Sequence, residues 1–409
     1  MTVKKNKFTL ISVYLTFFID NLSWAVVFPI FAPYFLDPGN LVFSADVPTG
    51  TRTMLLGFFL MAFSFGQFLG APLMGEYADK HGRRKALMIG VFFTLIGLSL
   101  SAYAVQLNLL ALLFAGRLIT GLFASSTTIC LSCISDLSDN ETVKVKNFGY
   151  LSMVAGVAFL VGAFFGGKLS DSTLSSYFSP NLPLWIAASL TFLNLLFVVF
   201  GFRETSVVHP SVRFHFFESF RHIQLALKTE NIKRIYAVYF LFLFAWVILF
   251  QFIPVLTVEK FFFTSSNIGD LALFMGICWA IGSGYLNKFL ASRFQSMRIL
   301  EVCLVGFTIL CGLVIVPDKI YFVLAIVGLS VILGGLAWPI CTGLISSISP
   351  KQMQGKILGV SQSLQSFAMA IGPAVGGIAF QYSLQLPFLF AAGTCLAAAA
   401  IYYFTLKHR

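Results

Sequence analysis

Twelve long apolar runs, separated by short polar links, set the pattern of this chain. Their edges fall near residues 8–36, 54–74, 86–105, 108–134, 147–167, 183–202, 235–258, 269–290, 299–316, 320–346, 357–380 and 386–406. A helix needs about 20 apolar residues to cross the hydrocarbon layer of a membrane, so each run reads as a membrane span. Pro29, Pro33, Pro72, Pro254, Pro339 and Pro373 lie inside these runs or near their ends. In a bundle, neighbouring helices satisfy the backbone groups that such prolines release. The expected fold is an all-α membrane protein of twelve transmembrane helices.

Composition agrees with the pattern. The chain is 58% hydrophobic and only 11% charged, where soluble domains run at about a quarter charged. The 47 Phe suggest broad aromatic surfaces facing lipid and substrate. The first run is too long for the apolar region of a signal peptide and has no small-residue cleavage site, so it reads as the first span. All seven Cys fall inside apolar runs and read as small packing residues. Cys130 and Cys133 have no His cluster near them in the sequence, so no metal site is expected there.

The net charge of +11 raises the question of a nucleic-acid partner, and the placement of the charge answers it. Of 27 Lys and Arg, 22 sit on one set of alternate links and tails, and Arg52, Lys168, Lys260 and Lys319 sit on the other; Arg117 lies within a span. Such a bias places both termini in the cytoplasm and accounts for the net charge without nucleic acid. The expected location is a bacterial inner (plasma) membrane.

The two halves of the chain repeat each other. Lys146 and Lys356, Gly149 and Gly359, Gly162 and Gly372, Gly166 and Gly376, and Gly167 and Gly377 are all 210 residues apart, and Gly75 pairs with Gly284 at an offset of 209. A recurring offset implies two six-span halves related by an axis along the membrane normal. The expected division is a bundle over 1–202, a cytoplasmic linker over 203–234 and a second bundle over 235–409. Within the linker, Phe217, Phe220, Gln224 and Leu227 share one helical face, which predicts an interfacial helix.

Between the second and third runs the chain reads Gly75-Glu-Tyr-Ala-Asp79-Lys-His-Gly82-Arg83-Arg84-Lys85. Basic residues in a tight link hold it on the cytoplasmic side, but anchoring does not need Gly75, Asp79 and Gly82 at these offsets. The stretch resembles the loop between helices 2 and 3 of major facilitator superfamily transporters. In that family the loop latches the two halves on the cytoplasmic side. The resemblance implies that Asp79 docks at the N-terminus of span 11, near Gly355 to Gly359, where a helix dipole is positive, and that Arg83 pairs with Asp136. In the second half the motif is degraded, with Lys288 where the first copy has Asp79.

Asp20 is the clearest carboxylate deep inside a span. It lies about 18 Å along its helix, and Arg117 lies about 14 Å along span 4, which runs the opposite way. Both therefore reach near the middle of a hydrocarbon core about 30 Å thick. A lone charge there is costly, so the two are expected to face the interior and meet. Opposite charge favours the ionised carboxylate and dry burial disfavours it; a change in either would move a proton at Asp20. The alternative is a static ion pair that sets helix register.

Phe114 to Gly121, Phe-Ala-Gly-Arg117-Leu-Ile-Thr-Gly, resembles the helix 4 motif of proton-coupled members. Ile19-Asp20-Asn21 with Phe28-Pro29 resembles helix 1 of drug–proton antiporters of the tetracycline-efflux type. Gln354 to Gly359 and Ile371 to Gly377 fit the same group. One departure stands out: the helix 5 motif of antiporters expects Gly-Pro, and here Gly162 is followed by Ala163.

Asn21, Trp24, Gln67, Trp246, Gln251, Trp279, Trp338, Gln362 and Gln365 are the polar or aromatic candidates for substrate contact within spans, a set suited to an amphipathic ligand. Gly162 to Leu169 falls short of a phosphate-binding loop because Leu169 stands where Ser or Thr is needed. The five His form no ligand set, and no nucleophile–base arrangement suggests an enzyme. The overall expectation is a monomeric secondary transporter without cofactors, driven by a proton gradient, that exports an amphipathic small molecule by alternating access. Uptake of a nutrient, metabolite or siderophore is the alternative, and a non-transporting membrane sensor is a second.

Overall fold

The computed structural model describes residues 7–44, 46–124, 126–138, 141–205, 233–348 and 354–405. The predicted interfacial helix of the linker lies outside the described residues. Among those described, twelve helices are long and apolar enough to cross a membrane. Spans 1 to 6 are Thr9–Leu36, Thr49–His81, Arg83–Leu107, Leu110–Leu137, Lys146–Ser170 and Leu182–Gly201. Spans 7 to 12 are Lys233–Phe261, Ser265–Ala291, Ser296–Leu313, Ile320–Ile345, Val360–Tyr382 and Leu386–Phe404. They match the twelve apolar runs to within four residues at each edge, except span 2, which begins five residues earlier and ends seven residues later than its run.

Local chemistry explains the sharper boundaries. Gly82, at φ 98°, separates spans 2 and 3 in a backbone region that disfavours any side chain. Span 3 ends at Asn108, whose left-handed conformation (φ 56°) closes the helix with N–H bonds back to the last turn; Asn tolerates that conformation better than most residues. Pro183 stands in the first turn of span 6, where no intrahelical N–H is needed.

The chain groups into two compact units. One comprises Met1–Ala45, Ala62–Phe217 and Phe263–Ala272; the other comprises Asp46–Met61, Glu218–Phe262 and Leu273–Arg409. The start of span 2 thus groups with the second unit and the start of span 8 with the first.

Inside the first unit, glycines set the distance between helices. Gly162 and Gly166 of span 5 lie against the backbone at Leu22 and Val26 of span 1, and Gly97 of span 3 lies against Gly116 and Thr120 of span 4. Hydrocarbon gives helices no hydrophobic reason to associate, so close backbone approach at small residues carries the packing. Gly167 meets Gly269 of span 8 in this unit, and in the second unit Gly377 meets Gly57 of span 2. The glycine pair related by 210 residues therefore makes the same kind of contact in each unit.

The end of span 5 is joined to the start of span 8 by polar groups as well. Lys168 Nζ donates to Ser266 Oγ and to Asp270 Oδ2, both at 2.8 Å. Asp171 accepts the Ser266 N–H at 3.2 Å and both donors of Thr173. Burial pushes the Asp171 carboxyl upward, but hydrogen bonds from Thr173, Thr264 and Ser266 outweigh it and hold the group below the usual carboxylate range. The stabilisation it supplies is present above the ordinary carboxylate pKa and is lost as pH falls through the lowered value.

Candidate functional site

The polar groups of interest in the first unit form two sites, one within the spans and one at the link between spans 2 and 3.

Within the spans, Asp20 is half-buried. It lines a small cleft with Ile19 of its own helix, Val91 and Thr94 of span 3, and Thr191 and Asn194 of span 6. Polar contacts flank it on both sides. One turn before Asp20, the Thr16 hydroxyl donates to Asn194 Oδ1 at 3.0 Å. One turn after it, Ser23 and Thr191 bring their hydroxyls to 3.5 Å. The polar faces of spans 1 and 6 therefore meet each other and enclose Asp20. Such groups are expensive in a membrane interior unless they are satisfied there.

Arg117 belongs to the same unit and is only 4% exposed. Gly116 beside it allows span 4 to approach Gly97 of span 3, and Gly121, one turn on, abuts the backbone of Phe63 in span 2. The guanidinium lies over the Phe63 ring, 4.5 Å from its centroid, an arrangement that offsets part of the cost of burying a cation.

At the link, Arg83 bridges two carboxylates. Its guanidinium is 2.7 Å from Asp79 and 3.4 Å from Asp136. Arg83 and Asp136 were expected to meet, and the structure brings them together. The ion pair between Asp79 and Arg83, one turn apart, was not expected; the contact of Asp79 with the N-terminus of span 11 would join the two units and stays what the resemblance implies. Arg84 donates to the carbonyl of Val199 at the end of span 6.

Sequence reasoning missed Glu204. Its two carboxylate oxygens accept the N–H groups of Arg83 and Arg84, at 2.8 and 3.1 Å. These are donors of the first turn of span 3, which have no partner within the helix, and a negative charge there also opposes the positive end of the helix dipole. The sequence shows only a carboxylate just beyond the end of span 6, with nothing local to tie it to span 3. Thr205 reinforces the junction by donating to Cys133 Sγ at 3.6 Å.

The tentative substrate residues separate by unit. In the second unit, Trp246 and Trp279 lie 5.0 Å apart between ring centroids, and Trp279 and Trp338 pack edge to face at 5.7 Å. Gly334 makes room for the Trp246 ring. Of the glutamines in this unit, Gln365 accepts a hydrogen bond from Tyr239, Gln251 is half-buried and Gln362 is exposed. In the first unit, Trp24 packs on Phe159 at 5.7 Å. Asn21 bonds the carbonyl of Phe17 in its own helix, and Gln67 bonds that of Ala124.

Among the described residues, no group of three or more His, Cys, Asp and Glu is placed to hold a metal ion.

Known proteins supply a frame for this geometry. The family model described as Major Facilitator Superfamily matches residues 13–334 and 286–409. Over 347 residues, the chain is 25% identical to Multidrug resistance protein 2 of Bacillus subtilis (strain 168), covering 82% of each protein. It is 26% identical over 339 residues to Tetracycline resistance protein, class H, of Pasteurella multocida, covering 80% of each. Its fold is similar to that of a solved D-xylose–proton symporter, with a TM-score of 0.76 and 14% identity over 98% of both chains.

Proposed function

The chain belongs to the major facilitator superfamily and is an integral membrane transporter; on that premise we propose that it exports an amphipathic small molecule in exchange for protons. The observation that carries this reading is the position of Asp20. A carboxylate midway along a span, enclosed by hydroxyl and amide groups, is a group whose protonation responds to small changes in its surroundings. Intramembrane ionisable groups usually serve function. Arg117, buried in the same unit, supplies the permanent positive charge against which a proton at Asp20 is weighed. Taking up a proton neutralises Asp20 and changes the electrostatic balance within the unit; releasing it restores the charge. Proton and substrate then bind in alternation as the halves 1–202 and 235–409 rock about a central site, joined by the linker 203–234.

The names of the multidrug and tetracycline resistance relatives support export and an amphipathic cargo. Trp246, Trp279 and Trp338 offer such a cargo an aromatic surface in the second unit. The basic links place both termini and the link between spans 2 and 3 in the cytoplasm. In that orientation Gly75, Asp79, Gly82, Arg83, Arg84 and Asp136 act as a cytoplasmic gate. The working unit is a monomer with no cofactor.

The test is flux in proteoliposomes under an imposed pH gradient, with a broad panel of lipophilic cations, tetracyclines and quinolones. Asp20→Asn is expected to lose the gradient-driven component, a fall of about tenfold or more in driven flux. Unchanged pH dependence in Asp20→Asn would remove Asp20 from the coupling. Substrate entry accelerated by an inward proton gradient would make the protein a symporter instead.

A further inference from the structure

We infer that the link between spans 8 and 9 is a binding site for an anionic phospholipid of the cytoplasmic leaflet, whose phosphate is held by Lys288, Arg293 and Arg298. This rests on the cytoplasmic placement of the link, and not on the cargo or on proton exchange.

Charge is unbalanced at this link. Residues 281–300 contain three cations, Lys288, Arg293 and Arg298, and no carboxylate. All three cations are exposed. Among the described residues, none of them forms an ion pair. The next carboxylate along the chain, Glu301, is half-buried in span 9 and within electrostatic reach of Tyr402. The related link between spans 2 and 3 is different. There Asp79 and Asp136 take up Arg83, and Glu204 lies on the first turn of span 3. The second link keeps the positive charge and lacks those acids, so its counter-charge comes from outside the protein.

The turn is formed in advance. Arg293 and Phe294 donate their N–H groups to the carbonyl of Leu290 at 3.0 and 2.8 Å, and the Ser292 hydroxyl donates to the carbonyl of Phe289 at 2.8 Å. A segment already ordered loses little freedom on binding. The Arg293 guanidinium lies over the Phe289 ring, 4.3 Å from its centroid. Stacking orients its plane and leaves the N–H groups along its edge to donate. A planar fork of donors matches the oxygens of a phosphate.

Aromatic surroundings select a lipid over a free anion. Tyr285, Phe289 and Phe294 flank the cations and are all exposed. Aromatic side chains at the ends of spans sit at head-group level, where basic residues meet the negative surface of the cytoplasmic leaflet. Inorganic phosphate would balance the charge and leave three rings uncovered; a phospholipid supplies the phosphate and covers the rings with its acyl chains.

The test equilibrates the purified full-length protein, in a non-ionic detergent, with equal amounts of phosphatidylglycerol and phosphatidylcholine of the same acyl chains. Native mass spectrometry then reads which lipid stays bound. The wild-type protein is expected to retain phosphatidylglycerol in preference to phosphatidylcholine. Arg293→Gln and Lys288→Gln are each expected to lower that preference by about fivefold, the worth of one basic residue at an anionic membrane surface. Lys85→Gln, at an exposed cation of the first link, is expected to leave it unchanged, and excess inorganic phosphate is expected not to displace the lipid. Equal retention of the two lipids by the wild-type protein overturns the site, as does a preference unchanged in both Arg293→Gln and Lys288→Gln. An equal loss in Lys85→Gln would trace the preference to overall charge, and full displacement by inorganic phosphate would make this an anion site; either result overturns the lipid site. Flux does not enter the measurement, so failure here leaves proton-driven export standing, and failure of export leaves the lipid site standing.

Discussion

Between spans 2 and 3 the chain reverses over a single non-helical residue, Gly82. At the corresponding point between spans 8 and 9, 209 residues on, it does not. There the helix widens into a π segment over Ile281–Leu286, resumes as Asn287–Ala291 and gives way to an exposed turn before Ser296. The first link is held by the Arg83 bridge to Asp79 and Asp136 and by Glu204 on the first turn of span 3. In the second, Lys288 stands in place of Asp79 and Ser292 in place of Arg83. Arg293, counterpart of Arg84, lies over Phe289 at 4.3 Å. An internal repeat thus preserves where the chain turns, while the side chains decide whether the turn is locked. The π segment begins two residues after Trp279, whose carbonyl accepts a bond from Ser283. Widened helical turns of this kind frequently occur at functional sites, so the looser link borders the aromatic cluster and the tighter one is a clasp.

Four substitutions probe this contrast. The largest effect is expected for Gly82→Ala. A Cβ there meets the Glu204 carboxylate, and the backbone conformation itself disfavours a side chain, so a loss of about 2–3 kcal/mol follows. Gly284→Ala, in the other link, meets open space and should change stability by less than about 1 kcal/mol, in the stabilising direction. Melting curves of the two purified variants decide the matter; equal losses would erase the distinction between locked and open links.

Glu204→Ala removes the acceptor of two helix-end N–H groups and should cost about 1 kcal/mol, as loss of a helix cap does. Faster hydrogen exchange at Arg83 and Arg84 is the local signature, and unchanged protection there would mean the cap contributes nothing. The smallest effect is expected for Arg293→Ala. Its ring contact is at an exposed position, and its loss should cost no more than about 0.5 kcal/mol. A Tm drop matching that of Glu204→Ala would show that the second link is also clasped.

Much of this could be read before any coordinates. The spans were legible because run length and composition suffice, and the Arg83–Asp136 pair because a recognised motif carried it. The glycines at an offset of 210 pointed to a repeat, although not to their contacts with spans 1, 2 and 8. Glu204 was not legible because nothing local links the end of span 6 to the start of span 3. The cleft at Asp20 was missed for a related reason. Thr94, Thr191 and Asn194 stand in helices so apolar that one polar residue does not reveal which neighbour its face meets.

The amino-acid sequence by itself determined that this chain crosses a membrane twelve times, because the bilayer tests each run separately for length and apolarity. It also determined the internal repeat. Which oxygens surround Asp20, and which carboxylate closes the first turn of span 3, only the tertiary structure decided. Those contacts join residues more than 70 positions apart. They depend on how each helix is rotated against its neighbours, which backbone approach at small residues settles and no single stretch of sequence encodes.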